Sequence, residues 1–225
     1  MPKILITHFD PFGGALENAS KKVAHRVAEL LQGSFEVVVC ELPTEYDRAS
    51  QVARSCWQQA HQSPGGEVSL VLSLGEARCR VKFETMAHNR DDTPELADNA
   101  GVIRQTTPID PEGPASVSMP FPWNEVLSQL QLTQEEQSIV EVSTDPGAFV
   151  CNNTAYRLAR FFSSSASTLP HRRTPYTFIH VPNHRCEDAN RLHELSASTI
   201  QKLIHLGIEH GLLLEIPPIL YYPVR

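Results

Sequence analysis

The segment SIVEVSTDPGAFVCNNTAYRLARFF, residues 138–162, decides the fold class. SIVEVS (138–143) has the β-branched content of a buried strand, and the Pro–Gly pair in TDPGAFV predicts a loop. From about Cys151 to Phe162 the spacing turns helical, with Ala155, Leu158, Ala159 and Phe162 on one face. A strand, a short loop and an amphipathic helix form the repeating unit of a sheet covered by helices.

The same unit recurs on both sides. KILITHF (3–9), FEVVVCEL (35–42), SLVLSLG (69–75) and YTFIHVP (176–182) read as strands. Helical spacing starts at Ser20, with Val23, Val27, Leu30 and Leu31 on one face and Gly33 as the stop. It returns at about 49–62 through Val52, Ala53, Cys56, Trp57 and Ala60, and at about 187–206 through Leu192, Leu195, Thr199, Leu203 and Leu206. VKFETMAHN (81–89) alternates like a hairpin partner of the strand before it. Arg90 to Pro122 is rich in Asp, Pro and Gly and predicts a long loop, a length that usually carries function or covers a site. A short helix near 123–132 follows, and SSSASTLPHRRTP reads as a polar surface insertion. Strands rich in Val, Ile and Leu between amphipathic helices predict one α/β domain over residues 1–225. Its form is a three-layer α/β/α sandwich around a twisted, mostly parallel sheet. Ligands of such sheets gather at the carboxyl ends of the strands.

Composition excludes several classes of partner. Nineteen basic against 26 acidic residues give a net charge of −7, with no basic stripe, so no nucleic acid is expected. Apolar runs are strand-sized, so no membrane span is expected. MPKILITHF has too short an apolar run for a signal peptide. The five cysteines, Cys40, Cys56, Cys79, Cys151 and Cys186, are odd in number and irregularly spaced, with no CxxC. Neither a disulfide framework nor a metal site is therefore expected, and a reducing, cytoplasmic location follows.

Chemistry is sought at the strand ends. Cys151 stands where a glycine-containing loop becomes a helix, a setting that favours the thiolate and offers amides to an oxyanion. His180 ends a strand, and Glu84 lies in VKFETM. Each has an ordinary reading alone: a packed thiol, a hydrogen-bonded core histidine, a carboxylate on a wet face. Together they supply a nucleophile, a base and a carboxylate to orient that base.

The wording of four segments resembles the pyroglutamyl peptidase type I family. ILITHFDPFGGALENAS resembles its strand and F-x-P-F-G-G turn, and SLGEARCRVKFETMAHN its G-Q-A-G-G-R and E-x-x-A-x-N segments. STDPGAFVCNN resembles S-x-x-A-G-x-F/Y-V-C-N, and FIHVP the histidine segment. The resemblance implies a cofactor-free, cytosolic, commonly oligomeric cysteine peptidase that removes an N-terminal pyroglutamyl residue. It implies Cys151 as nucleophile, His180 as general base and acid, and Glu84 as orienter. It implies an apolar pocket from Phe9, Phe12, Phe149 and Val150, with Asn18 holding the loop at its mouth.

The chain departs from the pattern at several places. Glu76 replaces Gln, Arg78 and Cys79 replace two glycines, His8 replaces Gly and Ala19 replaces Pro. A carboxylate at 76 accepts hydrogen bonds and cannot donate them, so Glu76 is expected to alter the fit to a neutral lactam unless Arg78 or Arg80 offsets it. The alternative is a homologue with altered specificity, or one that binds such ligands without turnover. A nucleotide-binding reading of FGG lacks both G-x-G-x-x-G and a Walker G-K-[ST]. The apolar tail EIPPILYYPVR fits either docking on its own sheet or a contact between copies.

Overall fold

The structure, a computed structural model, describes residues 1–163, 174–209, 211, 221 and 222. The chain runs β1 (Lys3–Phe9), α1 (Ala19–Leu30), β2 (Glu36–Leu42), α2 (Arg48–Gln62), β3 (Val68–Ala77), β4 (Val81–Glu84) and β5 (Met86–His88). It continues through β6 (Ser116–Ser118), α3 (Trp123–Gln129), α4 (Gln134–Ile139), β7 (Val140–Ser143), α5 (Val150–Ser163), β8 (Tyr176–Pro182), α6 (Ala189–Glu209) and β9 (Tyr221–Tyr222). The main sheet has the order β2-β1-β3-β8-β4-β7, and β5, β6 and β9 form a small second sheet. β2, β1, β3 and β8 are mutually parallel, and β8 and β4 are antiparallel. Helices α1 and α6 pack together, as do α2 and α5. The result is the expected three-layer α/β/α sandwich.

Every residue of β1 and of β8 is buried, which explains their unbroken apolar runs. Side chains alternate across the sheet, so Phe9, Gly75, Phe178 and His180 face α5, while His8, Glu76 and Val181 face α1 and α6. Full burial of a side chain such as Phe178 contributes about 1.5–3 kcal/mol. Asn18 caps α1: its Oδ1 accepts from the Ser20 amide at 3.0 Å. Its Nδ2 donates to the Asp10 carbonyl, also at 3.0 Å, holding the 10–18 loop against β1. An Asn cap of this kind is worth about 1 kcal/mol.

Four expectations need correction. VKFETMAHN is not the hairpin partner of β3. The short 78–80 connection steps past the end of β8, and β4 pairs with β8 and with β7, while β5 joins the second sheet. Residues 138–139 close a short helix rather than open a strand. Thr133 and Glu136 form a capping box, with Glu136 Oε2 accepting from the Thr133 amide at 2.8 Å and the Glu136 amide donating to Thr133 Oγ1 at 3.2 Å. The 90–122 stretch is not all loop, since 116–118 is a strand.

The fourth correction concerns cysteine. Cys40 is bonded to Cys56, and Cys79 to Cys186. The first bond joins the neighbours β2 and α2. The second joins the turns after β3 and β8, which adjacent pairing brings together, so irregular sequence spacing hid both. The argument from cysteine spacing to a reducing compartment loses its basis. Most of the polar insertion and of the apolar tail lies outside the described residues. Tyr221 and Tyr222 pair with β6 of the same chain.

Candidate active site

β1 pairs with β3 only as far as Thr7 and Ser73, while β3 runs on beside β8 to Ala77 and Pro182. Strand order reverses between β1 and β3, so their separation opens a crevice at the carboxyl edge, the place where such sheets bind ligands.

β8 brings His180 to this edge directly opposite Gly75. β4 brings Glu84 alongside from the other flank, and its Oε1 lies 2.8 Å from His180 Nδ1. A carboxylate accepts, so Nδ1 carries the donated hydrogen and Nε2 is left for Cys151, the second side-chain partner of His180. Glu84 has no solvent exposure and His180 is 5% exposed. Burial alone would lower the imidazole pKa, but the hydrogen bonds to Cys151 and Glu84 outweigh it and push it up to about 9. The histidine is therefore charged at neutral pH, beside the Cys151 side chain.

Cys151 is the second residue of α5 and the single free cysteine. Helix geometry leaves the first-turn amides without intrahelical acceptors, so they face the crevice as donors. Gly75 makes the room: a Cβ there would lie 3.0 Å from Cys151 Sγ and 2.9 Å from Phe178 Cζ.

The two residues after the cysteine tie α5 in place. Asn152 accepts from the His88 amide at 2.9 Å and donates to the His88 and Arg90 carbonyls at 2.8 Å. Asn153 donates to Asp91 Oδ2 at 2.8 Å and bonds Asp47. Arg104 bridges both carboxylates at 2.7 and 2.6 Å, and Arg157 reaches Asp47. Burial pushes the Asp91 carboxyl up; at Asp47 burial is outweighed by Arg104 and Arg157, and the pKa falls.

The aromatic residues named from the sequence fall in two pairs. Phe9 is buried beside Phe178, with ring centres 6.4 Å apart, and Phe12 lies 5.7 Å from Phe149. Val150 is fully buried. Tyr46 packs edge-on to Phe149 at 5.5 Å, a wall residue not anticipated although it follows a strand end. Glu76 departs from expectation. Because it alternates with Gly75, its carboxylate lies on the opposite face from Cys151 and accepts from the Ala19 amide at 2.8 Å. Arg78 and Arg80 do not pair with it among the described residues; Arg80 donates to the Ser138 carbonyl instead. No group of three or more potential metal ligands occurs among the described residues, and no helix there is long and apolar enough to cross a membrane.

A thiol, an imidazole and a carboxylate in series at the carboxyl edge of an α/β/α sheet define a thiol hydrolase. Comparison with known proteins narrows the class. The pyroglutamyl peptidase family profile matches residues 2–211. Pyrrolidone-carboxylate peptidase of Bacillus thuringiensis (strain Al Hakam) is 28% identical over 220 residues, 96% of this chain and 95% of that protein. The crystal structure of Bacillus amyloliquefaciens pyroglutamyl peptidase I shares the fold with a TM-score of 0.73 at 24% identity, covering 92% of this chain and 98% of that one. Pyrrolidone carboxyl peptidase from Pyrococcus furiosus shares it with a TM-score of 0.73 at 21% identity, covering 92% and 99%. The chain belongs to the pyroglutamyl peptidase family.

Proposed function

We propose that this chain, as one domain over residues 1–225, hydrolyses the amide bond after an N-terminal pyroglutamyl residue of peptides without a cofactor. The observation that carries the reading is the 2.8 Å bond between Glu84 and His180, with Cys151 as the second side-chain partner of the same imidazole, at the open end of β3. Cys151 Sγ, held as thiolate by protonated His180, attacks the pyroglutamyl carbonyl carbon. The first-turn amides of α5 receive the oxyanion. As the C–N bond breaks, His180 passes its Nε2 proton to the leaving amine, which departs as a peptide with a free amino terminus. Water then attacks the thioester, His180 takes its proton, and pyroglutamate leaves with Cys151 restored. Glu84 fixes the ring by accepting from Nδ1–H.

The five-membered lactam is uncharged, which suits walls made by Phe9, Phe12, Phe149, Val150 and Tyr46. Asn18 holds the 10–18 loop that carries Phe12. Residue 76 serves the lactam through its backbone, its carboxylate being engaged at α1. A cytoplasmic location draws support from the strand-sized apolar runs alone. Association of copies rests on the apolar tail; sedimentation velocity would settle the assembly size.

Release of fluorophore from a pyroglutamyl-coumarin amide tests the reading. Wild type should turn the amide over, and Cys151→Ser should lose at least about a thousandfold of kcat. No release by wild type, or release by Cys151→Ser above a tenth of wild type, would overturn it.

A further inference from the structure

On the opposite face of the sheet from Cys151, the amino ends of α1 and α6 enclose a cleft of about 530 Å3. Its walls include Glu17, Lys22, His184, Asp188, Arg191 and His193. The proposed reaction uses none of these six.

His193 is the informative member. It is 4% exposed, and its Nε2 lies 2.8 Å from the Pro182 carbonyl. A carbonyl accepts, so Nε2 carries the hydrogen and Nδ1 is left as a lone-pair acceptor. That Nδ1 is buried and has no hydrogen-bond partner. A buried acceptor without a donor costs about 1–3 kcal/mol, and a bound N–H would recover it. The titratable groups near the ring are Lys22, Glu76 and His184. The Glu76 carboxylate is engaged by the Ala19 amide.

The remaining walls carry both signs. Glu17 and Asp188 are exposed carboxylates, and Lys22 and Arg191 are exposed cations. Lys22 Nζ reaches from α1 to Asn190 Oδ1 on α6 at 2.5 Å, and Arg191 also meets Glu135. Helix geometry adds the Asn190 and Arg191 amides as donors at the start of α6. A simple anion would meet two carboxylates here, and a simple cation two bases. A ligand with one charge of each sign, and an N–H between them, satisfies the whole set. The volume falls in the range of small-molecule sites.

We infer that this cleft is a second, non-catalytic binding site for a short peptide with both termini uncapped. The ammonium lies at Glu17 and Asp188, the carboxylate at Lys22, Arg191 and the first turn of α6, and a backbone N–H on His193 Nδ1. The inference does not depend on turnover at Cys151.

Calorimetric titration of alanyl-alanine, which has no lactam, into protein carboxamidomethylated at Cys151 tests it. One peptide should bind per chain, with Kd on the order of 1 mM. N-acetylation or C-terminal amidation of the peptide should each weaken binding at least about fivefold, by loss of a charge-assisted contact. Lys22→Ala combined with Arg191→Ala should weaken it at least about tenfold with unfolding unchanged, since both residues are exposed. Absence of heat at about 20 mM peptide, twenty times that Kd, would overturn the inference. Equal binding of the capped peptides, unaltered affinity in the double variant, or displacement by free pyroglutamate at the catalytic pocket would each overturn it too.

Discussion

Replacing Gly75 by alanine tests the packing beneath the nucleophile. The new Cβ would lie 3.0 Å from Cys151 Sγ, and 2.9 and 3.1 Å from Phe178 Cζ and Cε1. Ordinary contact is at about 3.5–4.0 Å, so something must retreat by roughly 0.5–1 Å. Phe178 has no solvent exposure and is packed against Phe9 and His180, with ring centres at 6.4 and 5.0 Å. The softer neighbour is Cys151, partly exposed on its crevice side. Its sulfur should swing off the line to His180. A misplacement near 1 Å can cost about a hundredfold, equivalent to roughly 2.7 kcal/mol at 1.36 kcal/mol per tenfold. Overpacking should also lower stability by about 1–3 kcal/mol. Kinetics on a pyroglutamyl-coumarin amide should show the loss in kcat with KM nearly unchanged, and iodoacetamide should alkylate Cys151 more slowly. Activity of the variant within about threefold of wild type would refute the reasoning, whatever its melting temperature.

Other perturbations follow from the same geometry. The imidazole loses its proton as pH rises through about 9, so kcat/KM should fall along an alkaline limb near that value. Glu84→Gln removes a charge that helps hold the His180 pKa up, so the limb should move to lower pH and kcat should drop by about a hundredfold or more. Glu76→Gln should change kcat/KM by less than about threefold across that range, because the carboxylate faces α1; a tenfold change, about 1.4 kcal/mol, would contradict the placement. Arg104→Met leaves fully buried Asp91 without a cation, while Asp47 keeps Arg157, and should cost about 3 kcal/mol in urea unfolding.

Much of this arrangement was legible before any coordinates. Strand ends, the loop-to-helix position of Cys151 and the helical stripes follow from local periodicity. The acceptor for His180 was nameable as Glu84 by resemblance. Strand order was not legible, since nothing local says that β8 inserts between β3 and β4. That insertion is what sets Glu84 beside His180, and it also carries Cys186 to Cys79. Alternation along β3 implied that only one of Gly75 and Glu76 could face the nucleophile, but which one depends on the faces taken by α1 and α5. Asp91 and Arg104 lie in a stretch without periodicity, and their meeting with Asp47 depends wholly on long-range packing.

With two pairs of sulfurs bonded, the oxidised chain presents one free thiol out of five cysteines. A maleimide or iodoacetamide count on the native protein is then an active-site titration in its own right, one mole of label reporting one mole of competent nucleophile. Added reductant turns the same count into a different instrument. Each bond opened adds two equivalents, so label mass read by spectrometry separates chains with a blocked Cys151 from chains with opened clasps. Preparations kept in strong thiol for the sake of Cys151 would be working with a chain unfastened at both places.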